Sequence, residues 1–116
     1  MAVMLESVGA GIERYMNLIS ARQKLTASNI ANADTPGYHT KDIDFRSEFE
    51  NQLSGSGFQV EEVSGLKTKN DGNNVDMDRE ARLLAENDLR FSVASNLAMS
   101  ELSTVKMAID VDKSGA

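Results

Sequence analysis

The sequence predicts a mainly α-helical protein in which two long amphipathic terminal helices form a coiled-coil-like hairpin. Apolar residues recur every three or four positions near both ends, which is the spacing of one helix face. The only proline, Pro36, is followed by a glycine and separates the first segment from a polar middle. We expect a single domain over residues 1–116, with helices over about 3–31 and about 76–110 joined by a turn and middle segment over 32–75.

The first helix is predicted from an apolar seam that becomes polar towards its end. The seam consists of Leu5, Val8, Ile12, Tyr15 and Ile19. The same spacing continues through Arg22, Thr26 and Asn29, where the side chains are charged or polar. We expect this stripe to be a packing face of the helix.

The end of the first helix is predicted from the segment Thr35-Pro36-Gly37-Tyr38. Proline fixes φ at the second turn position, and glycine accepts the positive φ that a type II turn requires at the third. A residue before proline is disfavoured in the α region, so the helix should stop near Asn32. The amides of Asn29 and Asn32 are suited to hydrogen bonds with backbone groups here.

The middle segment is predicted to be irregular, with one short helix and one short β-strand. Asp44 can cap a helix over Phe45 to Leu53, which Ser54-Gly55-Ser56-Gly57 would end. Residues 58–63 are predicted as the strand, and residues 64–74 as a polar loop.

The last helix is predicted to begin after Asp76, whose carboxylate suits an N-cap. Its seam alternates spacings of four and three through Met77, Ala81, Leu84, Asp88, Phe91, Ser95, Ala98, Leu102, Val105 and Ile109. Further large apolar residues, including Leu89, Val93 and Leu97, lie off this seam. A helix with one partner would not need them, so we expect burial against several neighbours and a free monomer that is loose at both ends.

Composition excludes several classes of function. The chain has 116 residues, no cysteine, one histidine and a net charge of −6. These numbers argue against disulfides, a histidine pair for a metal and general binding of nucleic acid. Residues 42–62 carry six carboxylates against Arg46 alone, which suits a solvated exterior. No run of residues is apolar enough for a membrane span, and the start lacks the features of a cleaved signal.

No set of residues for catalysis can be assembled. His39 follows a turn and has the pattern of an exposed surface residue. The segment Asp71-Gly72-Asn73-Asn74-Val75-Asp76 only partly resembles a calcium loop, because the glycine position and the terminal glutamate are missing. A polar turn leading into a helix cap explains it better. We therefore expect no enzyme activity, no metal, no cofactor and no small-molecule substrate.

Two motifs carry a family resemblance. The segment Leu25-Thr26-Ala27-Ser28-Asn29-Ile30-Ala31-Asn32-Ala33-Asp34-Thr35-Pro36-Gly37-Tyr38 resembles the N-terminal signature of the bacterial flagellar rod and hook family. The continuation Lys41-Asp42-Ile43-Asp44-Phe45 and the segment Asp71 to Glu80 narrow the resemblance to its proximal rod proteins. Residues 5–50 and 70–110 match, whereas the middle, 51–69, is short for the family.

The resemblance implies a structural subunit of the flagellar basal body that polymerises through its terminal helices into the periplasmic drive shaft. Self-association, other rod proteins, a rod-base adaptor and the flagellar export gate would be its partners. Export would follow the flagellar type III route without a cleaved signal peptide. The inter-subunit joint would consist of Asn29, Asn32, Asp34, Thr35, Pro36, Gly37 and Tyr38. The two apolar seams would be the packing faces.

Two alternatives remain open from the sequence. One is another component of the rod, and the other is a cytosolic coiled-coil adaptor or flagellar export chaperone. A rod subunit is recovered in purified basal bodies, whereas a chaperone stays in the soluble fraction.

Overall fold

The computed structural model describes residues 2–51 and 57–114. It contains helix α1 (Ala2–Ala31), strand β1 (Lys41–Asp42), helix α2 (Phe45–Asn51), strand β2 (Glu61–Glu62) and helix α3 (Met77–Ser114). The molecule measures 73 × 26 × 17 Å. The predicted fold class, with two long terminal helices and a short mixed middle, is confirmed. Within the described ranges, neither long helix has a stretch apolar enough to cross a membrane.

The two long helices pack side by side in opposite directions. Asn29, near the end of α1, is bonded to Glu80, near the start of α3. At the other end, Gly9 lies against the carboxylate of Glu101. These two contacts establish the antiparallel hairpin, and they leave the last residues of α3 beyond the start of α1.

The face of α3 that α1 covers is displaced by one residue from the predicted seam. Glu80, Leu83, Asn87 and Ala94 are buried. The predicted seam residues Met77, Leu84, Phe91, Leu102 and Ile109 are exposed, and Val105 is half-buried. The rotation of α3 follows from the partners of Glu80, which are polar and which an apolar periodicity does not detect. The packing of the exposed seam in an assembly stays a prediction.

The seam on α1 is covered in part. Ile19 is buried, Ile12 and Tyr15 are half-buried, and Val8 is exposed. The side chain of Leu5 lies outside the described part of the structure. Burial therefore increases along α1 from its start towards the turn.

Burial is confined to one half of the hairpin. Where burial is described, in residues 7–51 and 57–112, every buried residue lies between Leu18 and Ala94. The distal half, formed by the start of α1 and the end of α3, therefore has no residue with a fully buried side chain in that range. Helices without a packed face are marginal in water, so the stability of the hairpin originates near the turn.

The middle segment lies against the half of the hairpin that is nearer to the Pro-Gly turn. Strands β1 and β2 pair antiparallel, with Lys41 opposite Glu62 and Asp42 opposite Glu61. The strand predicted over 58–63 thus consists of two residues. Within that short ladder, both residues of β2 are exposed carboxylates, which explains why the pairing does not extend as an apolar strand would.

Helix α2 forms where Asp44 predicts it. The Asp44 carboxylate accepts hydrogen bonds from the Ser47 amide at 3.3 Å and the Ser47 hydroxyl at 3.0 Å, as expected of an N-cap. Phe45 and Phe49 both meet the ring of Tyr15 edge to face, at centroid distances of 5.6 and 5.9 Å. The predicted end of this helix, at Leu53 and Ser54-Gly55-Ser56, lies outside the described residues.

We predict that the two halves of the hairpin differ in stability in the free monomer. Amide hydrogens of the distal half should exchange at least about tenfold faster than those between Leu18 and Asn29, because few apolar contacts hold that half closed. Hydrogen exchange with mass spectrometry, at low and high protein concentration, measures this difference. Equal protection in both halves of a dilute monomer, with helix content independent of concentration, would contradict the prediction.

Candidate assembly site

The turn after α1 has the predicted geometry. The Tyr38 amide donates to the Thr35 carbonyl at 3.2 Å, which closes a four-residue turn. Gly37, at its third position, has a φ of 75°. Pro36 is exposed. The two observations match the type II turn that the Pro-Gly pair predicts.

The loop before α3 is a second polar turn. The Asp71 carboxylate accepts a bond from the Asn73 amide at 3.0 Å, and the Gly72 amide donates to the Lys69 carbonyl at 2.9 Å. The Asp76 carboxylate then accepts from the amides of Asp78 and Arg79, at 3.1 and 3.3 Å. The segment is thus a turn that leads into an N-cap, as predicted.

These two turns dock on each other through their backbones. The Gly37 amide donates to the Asp71 carbonyl at 2.9 Å, and the Asn74 amide donates to the Tyr38 carbonyl at 3.2 Å. A β-carbon on Gly72 would lie only 3.2 Å from the Cα of Gly37. The contact therefore requires glycine at position 72, because a larger residue would meet backbone that cannot turn aside.

Asn73 connects the loop before α3 to the end of α1 through hydrogen bonds. Its amide nitrogen donates to the carbonyls of Asn32 and Thr35, both at 2.8 Å, and its side chain is fully buried. Its amide oxygen accepts from the Val75 amide at 2.9 Å. The same two carbonyls also accept bonds from the backbone amides of Thr35 and Tyr38, so Asn73 is a second donor to each and holds the loop against the turn.

Asn29 joins three parts of the chain. Its amide nitrogen donates to the Lys41 carbonyl at 2.8 Å and to the Glu80 carboxylate at 3.2 Å. Its oxygen accepts from the Lys41 amide at 3.1 Å and the Tyr38 hydroxyl at 2.9 Å. An asparagine side chain offers two donors and two acceptor positions, and all four are used here.

An ionic cluster of two buried carboxylates and two partly buried arginines completes this region, which consists of residues 22–42 and 71–80 and which we call the junction. Arg22 binds both oxygens of Asp42, at 3.1 Å each. Arg79 donates to Asp42 and to Glu80, at 2.6 Å each, and so links the two carboxylates. The two guanidinium groups balance the two carboxylates. Each carboxylate is already bound by an arginine, so the cluster is a structural device.

The predicted joint residues divide into an inner and an outer group. Asn29 is buried, and Asn32 and Tyr38 are half-buried. Asp34, Thr35, Pro36 and Gly37 are exposed and form the outer edge of the junction. The outer edge therefore offers more surface to another molecule than the inner group does. The assignment of that surface as a joint between subunits stays a prediction.

Neither the ionic cluster nor the role of Asn73 was predicted from the sequence. One signal was present for the cluster. Arg22, Thr26 and Asn29 continue the spacing of the apolar seam, and a charged residue on a face directed to the interior requires a partner. The identity of that partner depends on contacts over 20 or more residues, which the spacing does not contain.

Helix α3 exposes two apolar flanks on either side of the face that α1 covers. At 100° per residue, the first flank contains Leu84, Phe91, Leu102 and Ile109. The second flank, on the opposite side, contains Leu89, Val93, Leu97 and Met107. All eight side chains are exposed, and Leu102 keeps 70% of its surface open to solvent. Exposed apolar stripes of this length indicate surfaces for other molecules.

The chain is similar to flagellar proteins over nearly all of its length. Residues 16–39 match the family described as "Flagella basal body rod protein". The flagellar basal body rod protein FlgB of Escherichia coli is 33% identical over 141 aligned positions, which cover 97% of this chain and 99% of that protein. The chain belongs to the FlgB family of flagellar basal body rod proteins.

Other FlgB proteins show the same similarity. FlgB of Salmonella typhimurium is 32% identical over 85% of this chain and 92% of its own length. FlgB of Borrelia hermsii is 30% identical, with 83% of this chain and 90% of that protein covered. Membership of the family assigns a structural role in the basal body rod, and not an enzymatic one.

The family comparison also shows a difference in length between this chain and a relative. The 141 positions aligned with the Escherichia coli protein exceed the 116 residues of this chain, so that relative contains residues that are missing here. The expectation that these residues are missing from the middle, 51–69, stays a prediction.

We predict that Gly72→Ala destabilises the fold more than Gly65→Ala. Both glycines have positive φ, at 88° and 81°, so both variants incur a similar strain of about 1–2 kcal/mol. A β-carbon at 65 meets open space, whereas one at 72 meets the Gly37 backbone. Overpacking should add about 1–3 kcal/mol at position 72. Urea unfolding of the two variants measures the difference, and equal losses would show that the two turns are not in fixed contact.

Proposed function

We propose that this chain assembles into the rod through its two terminal helices, with the outer edge of the junction as the joint between neighbouring subunits. The observation that supports this proposal is the pair of apolar flanks on α3. A self-sufficient hairpin would cover one face of α3 and expose polar residues on the others. Two exposed flanks fit a helix that is surrounded by several others.

The sizes of the flanks favour several neighbours over one. Full burial of one large apolar side chain contributes about 1.5–3 kcal/mol, so four on one flank supply on the order of 6–12 kcal/mol before the costs of association. Association and side-chain ordering consume much of this amount. One flank alone would thus give a weak contact, and contacts on both flanks are needed for a stable assembly.

The distribution of charge supports an orientation in which the middle segment faces outwards. The exposed strand β2 consists of two glutamates, and α2 adds the exposed carboxylate of Glu50. Acidic segments are costly to bury between like subunits and are stable in solvent. The helices therefore lie inside the tube in this proposal, and β2 and α2 lie at its surface.

Family membership supports a proposal for the partners and the export route of the chain. We propose contacts with copies of the same chain and with other rod proteins, and at the base with the rod-base adaptor and the export gate. We propose that the chain reaches the periplasm through the flagellar type III system without a cleaved signal peptide. The limited burial in the distal half supports passage in an unfolded form, because little packing must be lost. The export chaperone, weighed above as an alternative, gains no support from the family comparison.

We predict that Leu102→Gln prevents incorporation into basal bodies and leaves the monomer intact. Leu102 is 70% exposed, so the monomer should change in stability by less than about 0.5 kcal/mol. Loss of an apolar anchor in a packed flank should abolish swimming. Motility and the content of purified basal bodies, in a strain that lacks its own copy of the gene, measure the effect.

The matched control for this experiment is Val60→Gln. Val60 is 53% exposed and lies in the middle segment, which the proposal directs outwards. This variant should assemble normally. Equal incorporation of the Leu102 and Val60 variants would refute helix-mediated assembly, while the family membership would stand.

We predict that Gly37→Ala impairs rod assembly and that Gly65→Ala does not. The two glycines have φ values of 75° and 81°, and a β-carbon at either position meets nothing within 4 Å in the chain. Their effects on monomer stability should therefore be alike, at about 1–2 kcal/mol. Only position 37 lies on the outer edge of the junction. If both variants swim to the same extent, the outer edge is not the joint.

Asn32→Ala removes the hydrogen bond from the Asn32 side-chain amide to the Ser28 carbonyl. This variant should impair rod assembly as Gly37→Ala does.

A further inference from the structure

Two grooves lie at the same height on opposite sides of the hairpin, in its distal half. The first encloses about 340 Å³, and its lining includes two carboxylates, Glu13 and Glu101. The second encloses about 370 Å³ and is lined mainly by apolar side chains of α1 and α3, together with the ring of Phe49 and with Gly11. Ile12 lines both grooves, so they share one height along the helices. We call them the acidic groove and the apolar groove.

Helix α1 carries opposite charges on its two sides at this height. At 100° per residue, Glu13 lies on one side of Ile12, together with Gly9 of the acidic groove. Gly11 lies on the other side and lines the apolar groove. A β-carbon on Gly11 would lie 3.8 Å from Nη2 of Arg14, so the guanidinium group is at the edge of the apolar groove. The carboxylates and the guanidinium thus lie on opposite sides of the hairpin.

The carboxylates of the acidic groove have no cationic partner in the part of the chain that the structure describes. Glu101 is half-buried, and its Oε1 lies 3.0 Å from the position that a β-carbon on Gly9 would occupy. Glu13 is exposed. Met16 and Ala98 supply apolar walls of the same groove. The groove therefore suits a side chain with an apolar stem and a cationic head, which is the chemistry of arginine and lysine.

Arg14 is a cation without a partner on the other side of the hairpin. It forms no hydrogen bond or ion pair with any residue in the described ranges, 2–51 and 57–114. Its Nε is buried by the chain itself, so a partner from outside must bind the terminal nitrogens Nη1 and Nη2. A half-buried guanidinium has lost part of its hydration, and a carboxylate partner compensates for this loss.

We infer that the acidic groove of one copy of this chain receives Arg14 of a neighbouring copy. The stem of the arginine packs between Met16 and Ala98, and its terminal nitrogens donate to Glu13 and Glu101. A guanidinium group presents a planar fork of donors that matches the geometry of carboxylates, so one arginine can join two of them. The inference rests on the proposed function and specifies one lateral contact between subunits.

Height and charge favour a second copy as the occupant of the groove. Copies that lie side by side and point in the same direction bring the apolar groove of one against the acidic groove of the next, at the height of Ile12. Arg14 then meets the carboxylates without a shift along the helices. Contact between two acidic grooves would instead oppose like charges, which is strongly unfavourable. The contact is therefore between unlike sides, and it repeats from copy to copy.

Charge reversal on the two sides of the hairpin tests the inference. The first variant is Arg14→Glu, and the second combines Glu13→Arg with Glu101→Gln. Each variant alone opposes like charges across the contact, so each should self-associate at least about tenfold more weakly than the natural chain. A mixture of the two variants places opposite charges at every contact between them, and it should associate to within about threefold of the natural chain. Sedimentation equilibrium at low ionic strength measures the association constants, because salt screens exposed charges.

The matched control is Lys67→Glu, which changes the net charge of the chain as Arg14→Glu does. Lys67 is exposed in the loop before α3, away from both grooves, so this variant should associate as the natural chain does. Circular dichroism of each monomer measures whether the helix content is kept. Recovery of association in the mixture would itself show that both charge-reversed variants are folded.

Other results overturn the inference. One is a mixture that associates no better than the separate variants. Another is an Arg14→Glu variant that associates as well as the Lys67→Glu control. A natural chain that stays monomeric at every accessible concentration also contradicts the contact.

Recovery of the chain in purified basal bodies separates this contact from the proposed function. The natural chain should be present there, and Arg14→Glu should be depleted at least about fivefold. Normal recovery of Arg14→Glu contradicts this contact alone, whereas a natural chain absent from basal bodies contradicts the proposed function. Depletion of Arg14→Glu together with unchanged self-association would assign Arg14 to a different protein and would also overturn the inference.

Discussion

The structure depends on two buried side-chain amides, which connect the end of α1 by hydrogen bonds to the small sheet and to the loop before α3. Asn73 reaches from the loop before α3 and binds the carbonyls of Asn32 and Thr35. Asn29 binds both backbone groups of Lys41, which starts the small sheet. Through these two residues the turn, the sheet and the start of α3 share one hydrogen-bond network. Among the residues whose burial is described, six buried residues are hydrophobic and nine are polar or charged, so this network defines the junction more than apolar packing does.

The ionic cluster adds specificity to the network. Buried ion pairs contribute little net stability, because removing the charges from water offsets their attraction. A misplaced partner, however, leaves an unpaired charge in the interior, which is strongly unfavourable. Arg22 on α1, Asp42 on β1 and Arg79 on α3 therefore fix one arrangement of three elements. The orientation of α3 about its own axis follows from this arrangement, and the apolar flanks are directed outwards as a result.

Local features of the fold could be predicted from the sequence, whereas the pairing of distant residues could not. The Pro-Gly turn and the caps at Asp44 and Asp76 depend on neighbouring residues, and all three occur as expected. The covered face of α3 was displaced by one residue, because a periodicity of apolar residues selects the largest stripe, and that stripe is the exposed first flank. Of the predicted joint, the structure assigns Asn29 to the interior. Its partner Glu80 lies 51 residues away, beyond the range of any local pattern.

The contact of Gly37 with Gly72 has a mechanical consequence for a subunit of the rod. Where side chains separate two segments, an applied force is absorbed first by changes of rotamer, which are soft. Here backbone meets backbone, and neither glycine has a rotamer to change. A bending force on this contact is opposed by peptide planarity and bond angles, which deform far less than side-chain torsions do. A subunit built this way would deform little at this contact under load, and the less tightly packed distal helices would deform first.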